Sequence, residues 1–237
     1  IIFLGKNWFS WKNSKWILVM LPFYGRRLSR KTRRFNSFDL ESYEFFFNEL
    51  NFNDIKKKLV KSSQNVNLEI GFGKGENLIF QSQIKKKDIF LAIDPFISGG
   101  LNLKKKIEIL KISNIFFSNA TFSQFFKIVG DVNFKKIFIL FPDPWPKKKH
   151  KKRRLINEAF VKNLYKITLK YSEILIATDD EDYSNQILKS FSNQNFFKLL
   201  LKTSDNQIFK DYELYPTKYF RKAKRENRRI NLFIYQK

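Results

Sequence analysis

From Val66 onward, short apolar runs alternate with stretches of helical length, and this alternation constrains the fold more than any other feature of the chain. Short apolar runs are typical of buried strands, and the stretches between them are long enough for helices. The alternation predicts an α/β fold built on a doubly wound, mostly parallel seven-stranded sheet. The predicted strands are 67–70, 89–93, 114–117, 136–141, 173–177, 196–201 and 231–235, and the predicted helices are 76–86, 100–111, 121–129, 153–170 and 181–192.

The segment LEIGFGKGE, residues 68–76, places three glycines directly after the first predicted strand. Glycine adopts backbone conformations that other residues avoid, and it lets the backbone approach a ligand closely. Doubly wound folds bind ligands at the carboxyl ends of their strands, so Gly71 and Gly73 are predicted to contact a cofactor. The glycines alone fit nicotinamide, flavin and S-adenosylmethionine enzymes equally well.

Polar side chains at the ends of the first three predicted strands narrow this choice. Glu69 precedes the glycines, where a carboxylate suits the cationic methionine part of S-adenosylmethionine and repels a pyrophosphate. Asp94 ends the second strand and is placed to accept hydrogen bonds from ribose hydroxyls, a feature shared with NAD enzymes. Asn119 follows the third strand, where its amide either contacts an adenine edge or caps the next helix.

The segment FPDPWPKKKHKKRR, residues 141–154, follows another apolar strand. Its three prolines stiffen the turn and hold Asp143 between two of them. A rigid loop explains the prolines, but it does not explain an acid, an indole and seven cations at the predicted ligand edge. Trp145 either stacks on a base or packs in the core. His150, the single histidine, is interpreted as a polar neighbour rather than a base or a metal ligand.

The formal net charge of +24 is concentrated in three clusters. Residues 22–34, 147–154 and 218–229 hold 6, 7 and 7 cations against one acid, and they contain all 11 arginines. Arginine's planar fork suits bidentate contacts with phosphate. Three basic clusters on a nearly neutral body predict a nucleic-acid partner, with solvated loops as the alternative.

Five segments, in this order, resemble the tRNA (guanine-N7)-methyltransferase family: YGRRLSRKTRR, LEIGFGKGE, FPDPWPKKKHKKRR, ATDDEDY and PTKYFRKAKRE. The resemblance runs from about Tyr24 to the C-terminus. It implies a Rossmann-like class I methyltransferase fold with S-adenosyl-L-methionine as the cofactor. It further implies methyl transfer to N7 of guanine 46 in the variable loop of tRNA, the expected partner.

The same resemblance assigns roles to residues by their motif positions. Those matching cofactor contacts are Glu69, Asp94, Asn119 and Asp143, and Asp143 is also the expected catalytic residue. Those matching substrate contacts are Lys147, Asp179, Thr217, Lys218, Tyr219 and Phe220. Asp179 has an alternative role as the cap of helix 181–192.

The chain departs from the family pattern at three of these positions. Asp94 stands where the family often has Glu, and Asn119 stands where many members have Asp. Phe220 replaces a Glu whose carboxylate is expected to read the ring N–H groups of guanine.

Three regions are expected: an extension over 1–21, a basic arm and connecting region over 22–65, and a methyltransferase domain over 66–237. Lysines and asparagines interrupt the apolar residues of 1–21, so we expect a disordered extension or a start-site artefact there rather than a membrane helix. The absence of cysteine fits a cytoplasmic protein without thiolate metal ligands. No metal is expected, and the predicted assembly is a monomer or a homodimer.

Two other functional classes compete with this interpretation. Phe220 favours a non-catalytic RNA-binding protein on a methyltransferase fold. A different nucleic-acid methyltransferase is the second alternative, although amino-group enzymes have two prolines where Asp143-Pro144-Trp145 has one. A nicotinamide dehydrogenase is disfavoured by Glu69.

Overall fold

The computed structural model describes Gly25, Leu28, residues 38–61 and residues 64–237, and it contains one seven-stranded sheet. The strand order across the sheet is β3-β2-β1-β4-β5-β7-β6. The strands are β1 (Val66–Ile70), β2 (Ile89–Ile93), β3 (Ile115–Ser118), β4 (Phe134–Leu140), β5 (Thr168–Thr178), β6 (Lys198–Thr203) and β7 (Asn231–Gln236).

Helices connect the strands and cover both faces of the sheet. The α-helices are α1 (Phe38–Glu41), α2 (Phe52–Lys61), α3 (Glu76–Ile84), α4 (Ile97–Leu110), α5 (Phe122–Val129), α6 (Glu158–Lys166), α7 (Glu181–Ser192), α8 (Ile208–Asp211) and α9 (Lys218–Arg225). A 3-10 helix spans Lys148–Arg153.

The first five strands are parallel, and β7 lies antiparallel between β5 and β6. The strand order reverses between β1 and β4, and such a switch point is where open α/β sheets bind ligands. The predicted doubly wound, mostly parallel seven-stranded sheet is therefore confirmed.

Alternation along β1 decides which side chains face the cleft. Val66, Leu68 and Ile70 point into one apolar layer, together with Phe125, Phe160 and other residues of α5, α6 and α7. Successive strand residues point to opposite faces, so Glu69 lies on the face that α3 and α4 cover. A polar residue inside a fully buried strand thus reaches the ligand-binding side of the sheet.

The predicted helix over 153–170 is wrong. Residues 148–153 form the 3-10 helix, α6 covers only Glu158–Lys166, and β5 already begins at Thr168. The amphipathic pattern of α6 continues into the first residues of β5, whose side chains alternate between buried and exposed only irregularly. Beyond Thr168, regular pairing with β4 resumes at Glu173, after a shift in register.

The segment before β1 packs on the sheet rather than standing apart from it. Phe46 forms a bridge to Phe117 of β3, and Phe47 is fully buried against Phe52 and Phe125. Aromatic burial of this kind makes residues 45–59 part of the core. The domain boundary at residue 66 stays a prediction, and the extension 1–21 and the first basic cluster lie outside the described residues, apart from Gly25 and Leu28.

Candidate active site

The glycine turn after β1 leaves open space beside its backbone. Gly71, Gly73 and Gly75 all have positive φ, which residues with a side chain rarely adopt. A Cβ on Gly71 meets no atom within 4 Å, whereas a Cβ on Gly99 of α4 would lie 2.0 Å from the Gly73 carbonyl oxygen. The turn is therefore packed against α4 on one side and open to a ligand on the other.

Asp94, at the end of β2, is fixed by backbone hydrogen bonds. Its Oδ2 accepts the Gly73 N–H at 2.7 Å, and its Oδ1 accepts the Phe96 N–H at 2.8 Å. Burial raises the pKa of Asp94 to about 6, against the opposing effect of these two hydrogen bonds, and the nearby Asp143 carboxylate raises it further. Each carboxylate oxygen keeps a second lone pair for a ligand hydroxyl.

Glu69 is buried within β1, with 3% of its surface exposed. Asn77, in the first turn of α3, donates its amide N–H to Glu69 Oε2 at 3.0 Å. Burial raises the pKa of Glu69 to about 8, the Asn77 hydrogen bond lowers it, and the charge of Asp94 raises it. A buried carboxylate of this kind is stabilised when a cation binds beside it.

Asn119, after β3, is not a helix cap. Thr121 caps α5, because its side chain accepts the Gln124 N–H at 3.2 Å and Gln124 bonds back to Thr121. Asn119 donates to the Asp94 carbonyl at 2.8 Å, and its buried Oδ1 has no hydrogen-bond partner among the described residues. A buried acceptor without a donor is costly, which indicates that a ligand donor satisfies it.

Asp143 lies in a loop with an unusual backbone. Phe141 and Trp145, on either side of it, have φ values of 54° and 44°, in the left-handed region that disfavours non-glycine residues. Although Asp143 is exposed, the atoms packed around it partly desolvate its carboxylate and raise its pKa. Glu69, Asp94 and Asp143 lie within or shortly after β1, β2 and β4, which are neighbouring parallel strands, so the three acids lie near one edge of the sheet.

Asp179, at the end of β5, forms an ion pair with Arg228. The cap of α7 is the next residue, Asp180, whose side chain accepts the Tyr183 N–H at 2.7 Å. The alternative role of Asp179 as a helix cap is therefore wrong. Any substrate contact made by Asp179 must be shared with Arg228.

Helix α9 runs along the open side of the cleft. Thr217 caps it, accepting the Phe220 N–H at 3.4 Å, and Tyr219 stacks near Phe141 with ring centroids 6.5 Å apart. Burial raises the pKa of Tyr219, and the charges of Asp143 and Asp94 raise it further, so this ring faces the acids.

Phe220 is partly buried, and its side chain packs against the apolar core. Its ring packs against Phe209 with centroids 4.6 Å apart. The structure thus separates it from Tyr219, its neighbour in the predicted substrate segment. The predicted substrate contact by the Phe220 side chain is not supported by this geometry, because the side chain is turned toward the apolar layer that contains Leu214 and Ala223.

Sequence reasoning missed the first turn of α3, which joins the two sides of the cleft. Glu76 accepts the Lys218 N–H at 2.6 Å and an Arg221 guanidinium N–H at 2.7 Å. Burial alone would raise the pKa of Glu76, but these hydrogen bonds outweigh it and lower the pKa. Asn77 joins Glu69 to the backbone N–H of Tyr215, which its Oδ1 accepts at 3.2 Å. Their position directly after the glycines was the available signal.

The two described basic clusters flank this cleft. Lys147, Lys148, Lys149 and Lys152 are exposed, as are Lys218, Arg221, Lys222, Lys224, Arg225 and Arg229. Lys151, Arg153 and Arg228 are partly exposed, and Arg154 is buried, with 3% of its surface exposed, so its guanidinium is not available to a phosphate at the protein surface. Burial and then the surrounding cations lower the pKa of His150, which fits a neutral neighbour of Trp145.

Within residues 38–61 and 64–237, no group of three or more acidic or histidine side chains is arranged to hold a metal ion. In the same part of the chain, none of the helices combines the length and apolar character that crossing a bilayer requires.

Comparison with known proteins identifies the family. A family model described as "Putative methyltransferase" matches residues 63–232. A tRNA (guanine-N(7)-)-methyltransferase of Wolbachia pipientis is 36% identical over 224 residues, covering 94% of this chain and 93% of the relative. One from Neorickettsia sennetsu is 31% identical over 167 residues, covering 70% of this chain and 73% of the relative.

Solved structures agree on the fold. An rRNA methylase from Streptococcus thermophilus superposes with a TM-score of 0.52 at 12% identity, covering 81% of this chain and 97% of that one. At that identity the likeness concerns the fold alone. The identity and coverage of the relatives, together with the matching motifs, place this chain in the tRNA (guanine-N7)-methyltransferase family.

Proposed function

We propose that this protein transfers a methyl group from S-adenosylmethionine to N7 of guanine 46 in the variable loop of tRNA. One observation carries the proposal: Glu69, Asp94 and Asp143 lie at or shortly after the carboxyl ends of the neighbouring parallel strands β1, β2 and β4, and the basic helix α9 is attached beside the glycine turn through Glu76. Family membership supports the substrate and the reaction. A monomer or homodimer and a cytoplasmic location stay predictions.

The residues of the cleft fit S-adenosylmethionine. The unpartnered Oδ1 of Asn119 would accept a hydrogen bond from the adenine amino group, and Asp94 would accept hydrogen bonds from the ribose hydroxyls. Glu69 supplies a buried carboxyl group beside the open space at Gly71, and the cationic methionine end would stabilise its charged form. When bound, the cofactor supplies a methyl group on a positively charged sulfur, which makes that methyl electrophilic.

Asp143 is the group we assign to the reacting base. Guanine N7 has a free lone pair, so the reaction needs alignment rather than proton abstraction. A carboxylate accepts hydrogen bonds from guanine N1 and N2, and it stabilises the positive charge that the purine gains on methylation. Asp143 lies in a rigid loop at the switch point of the sheet, where these tasks can be performed without reorganisation.

The substrate contacts assigned to Lys147, Asp179, Thr217, Lys218 and Tyr219 surround this position. Tyr219 presents an exposed ring opposite Phe141, which suits stacking on a base. Lys147 and Lys218 supply charge for phosphates. Because Phe220 packs in the core, we assign recognition of the guanine N–H groups to Asp143 and Asp179.

The direct test is methylation of an unmodified tRNA transcript with methyl-labelled cofactor, followed by mass spectrometry of the nucleosides. We expect 7-methylguanosine in the intact transcript and none when adenine replaces guanine 46. Methyl transfer to another base or another atom would contradict the proposal. Tight tRNA binding without any transfer would favour the non-catalytic alternative.

Asp143→Asn tests the residue itself. Loss of one preorganised electrostatic group typically lowers kcat by about 10²-fold or more, and we expect a loss of this size with the fold intact. Asp54→Asn is the matched control, since Asp54 is exposed on α2. Equal rates for Asp143→Asn and the wild type would remove Asp143 from the mechanism.

A further inference from the structure

Two adjacent arginines of the basic run have different surroundings. Arg153 lies partly exposed over the Trp145 ring, 5.0 Å from its centroid. The Arg154 side chain is only 1% exposed. A guanidinium buried to this degree cannot reach a phosphate on the protein surface, so Arg154 must serve a different purpose.

The Arg154 guanidinium joins the loop after β4 to helix α7. Its Nε donates to the Pro144 carbonyl at 2.7 Å, and its Nη1 donates to Gln186 Oε1 at 2.9 Å. Its Nη2 lies 2.6 Å from Asp182 Oδ2, and the whole group lies over the Tyr183 ring at 4.8 Å. These three partners all belong to α7, the helix that begins at Glu181, shortly after Asp179.

The loop that Arg154 contacts needs an external support. Phe141 and Trp145 have left-handed backbones, each of which costs about 1 kcal/mol or more. Prolines at 142, 144 and 146 supply no N–H for hydrogen bonds inside the loop. The Phe141 N–H bonds to the Ala177 carbonyl at 2.8 Å, and the Arg154 bond holds Pro144. One of these hydrogen bonds lies before Asp143 in the chain and the other lies after it, so the backbone is held on both sides of this residue.

The segment after Arg154 is itself attached to α7. The Ile156 N–H donates to the Tyr183 hydroxyl at 2.9 Å, and the Ile156 carbonyl accepts from Gln186 at 2.9 Å. We call the set of Arg154 contacts between the loop and α7 the clamp. The clamp is therefore anchored on a packed helix rather than on a loop.

We propose that Arg154 is a positioning residue, which fixes the loop carrying Asp143 at a set distance from the strand end carrying Asp179. It acts through the Pro144 carbonyl and touches neither RNA nor cofactor. The kinetic part of this inference rests on the proposed function. Lysine cannot replace arginine here, because one ammonium cannot reach three partners in a plane.

Tryptophan fluorescence offers a readout that is independent of catalysis. The chain has four tryptophans, and Trp145 is the one within residues 38–61 and 64–237. Replacing the other three, Trp8, Trp11 and Trp16, with phenylalanine leaves Trp145 as a single reporter of the loop. Arg154→Lys is introduced into this background. Lys152→Met is the control, since it removes an exposed cation from the same run.

We expect Arg154→Lys to lower kcat at least about 10-fold, since small misplacements at a reacting centre have effects of this size. The affinity for tRNA should change less than about twofold, and acrylamide should quench Trp145 more strongly. Lys152→Met should instead raise KM for tRNA and leave the quenching of Trp145 unchanged.

Two results would overturn the inference. In one, Arg154→Lys weakens tRNA binding as Lys152→Met does, while kcat and quenching stay at wild-type values. In the other, neither kcat nor quenching changes. If Arg154→Lys does not fold, Asp182→Asn loosens the clamp from its exposed end and should shift both readouts in the same direction. If the wild type transfers no methyl group, the quenching comparison still tests the clamp, so the two failures are distinguishable.

Discussion

The two sides of the cleft differ in the groups that hold their acidic side chains in place. On the cofactor side, formed by Glu69, Asp94 and Asn119, hydrogen bonds from backbone N–H groups and neutral amides hold the polar groups in place. On the substrate side, formed by the loop at 141–147, Asp179, α7 and α9, two acids pair with arginines, Asp179 with Arg228 and Asp182 with Arg154, whereas Asp143 has no such ion pair among the described residues.

The pKa directions express this difference. Burial raises the pKa values of Glu69 and Asp94 to about 8 and about 6, whereas hydrogen bonds from Lys151 and Arg154 lower the pKa of Asp182. The cofactor side therefore holds buried carboxyl groups that no cationic side chain neutralises, and a cationic ligand stabilises their charged forms. On the substrate side, arginines compensate Asp179 and Asp182 but not Asp143, whose pKa is raised by burial, and the surplus cations are exposed to a polyanion.

The largest expected effect tests whether the apolar packing of Phe220 holds α9 in place. Phe220→Glu should lower the free energy of unfolding by about 2 kcal/mol, because it removes a partly buried ring and places a carboxylate against Phe209. Chemical denaturation measures this, with Phe220→Leu as the apolar control. A stable Phe220→Glu variant with higher activity would show that α9 is held by polar contacts instead.

The next effect tests the raised pKa of the buried Glu69 carboxyl group. Its pKa rises from 4.5 to about 8 on folding, so between these values the folded state keeps a proton that the unfolded state releases. The free energy of unfolding should therefore fall by about 1 kcal/mol per unit as pH increases through this window. Glu69→Gln should flatten that dependence in denaturation series at pH 6 and pH 8.

Glu49→Gln is the control for this measurement, since Glu49 is exposed. A dependence that persists unchanged in Glu69→Gln would mean that another group carries it and that the cofactor side is compensated like the substrate side.

A smaller effect tests the exposed cations of the substrate side. Arg225→Gln should weaken tRNA binding severalfold and reduce the slope of log affinity against log salt by about 1. Filter binding over a salt series measures this. Lys198→Gln removes an exposed cation from β6, at the far edge of the sheet, and should leave the slope unchanged. Equal slopes for both variants would assign RNA binding to another surface.

The smallest effect concerns the ion pair between the two sides. Glu76→Gln should change the free energy of unfolding by less than about 1 kcal/mol, because Arg221 is half exposed. Glu108→Gln, which breaks the pair with Lys104 on α4, is the matched control. A loss well above that of the control would mean that Glu76 works as a buried structural charge.

The cofactor side was largely predictable from sequence, and the reason is geometric. A strand, a glycine turn and a helix have one common arrangement, so motif position alone brought Glu69 and Asp94 to the same edge. The substrate side depends on partners far apart in the chain, such as Asp179 with Arg228. Helix α9 was not predicted. The partners that bury Arg154 lie on α7, far along the chain, so nothing in the local run of cations distinguishes Arg154 from its neighbours.

The boundary error at 153–170 has a related cause. Local amphipathicity cannot distinguish the end of α6 from the irregularly paired start of β5, because pairing with β4 decides where the strand begins. Asn119 and Asp179 show the opposite case. The caps, which the sequence left open, are Thr121, two residues after Asn119, and Asp180, one residue after Asp179, so both side chains are free for other contacts.

The Asn77 amide has a consequence for how the cleft can open. One end of this fully buried group must donate to Glu69 while the other accepts from Tyr215, so it cannot rotate to compensate for the loss of either partner. If the segment at 213–217 swings outward, a desolvated oxygen is stranded in the interior next to Glu69. Movement of that segment is therefore coupled, through the Asn77 amide, to the surroundings of the Glu69 carboxyl group.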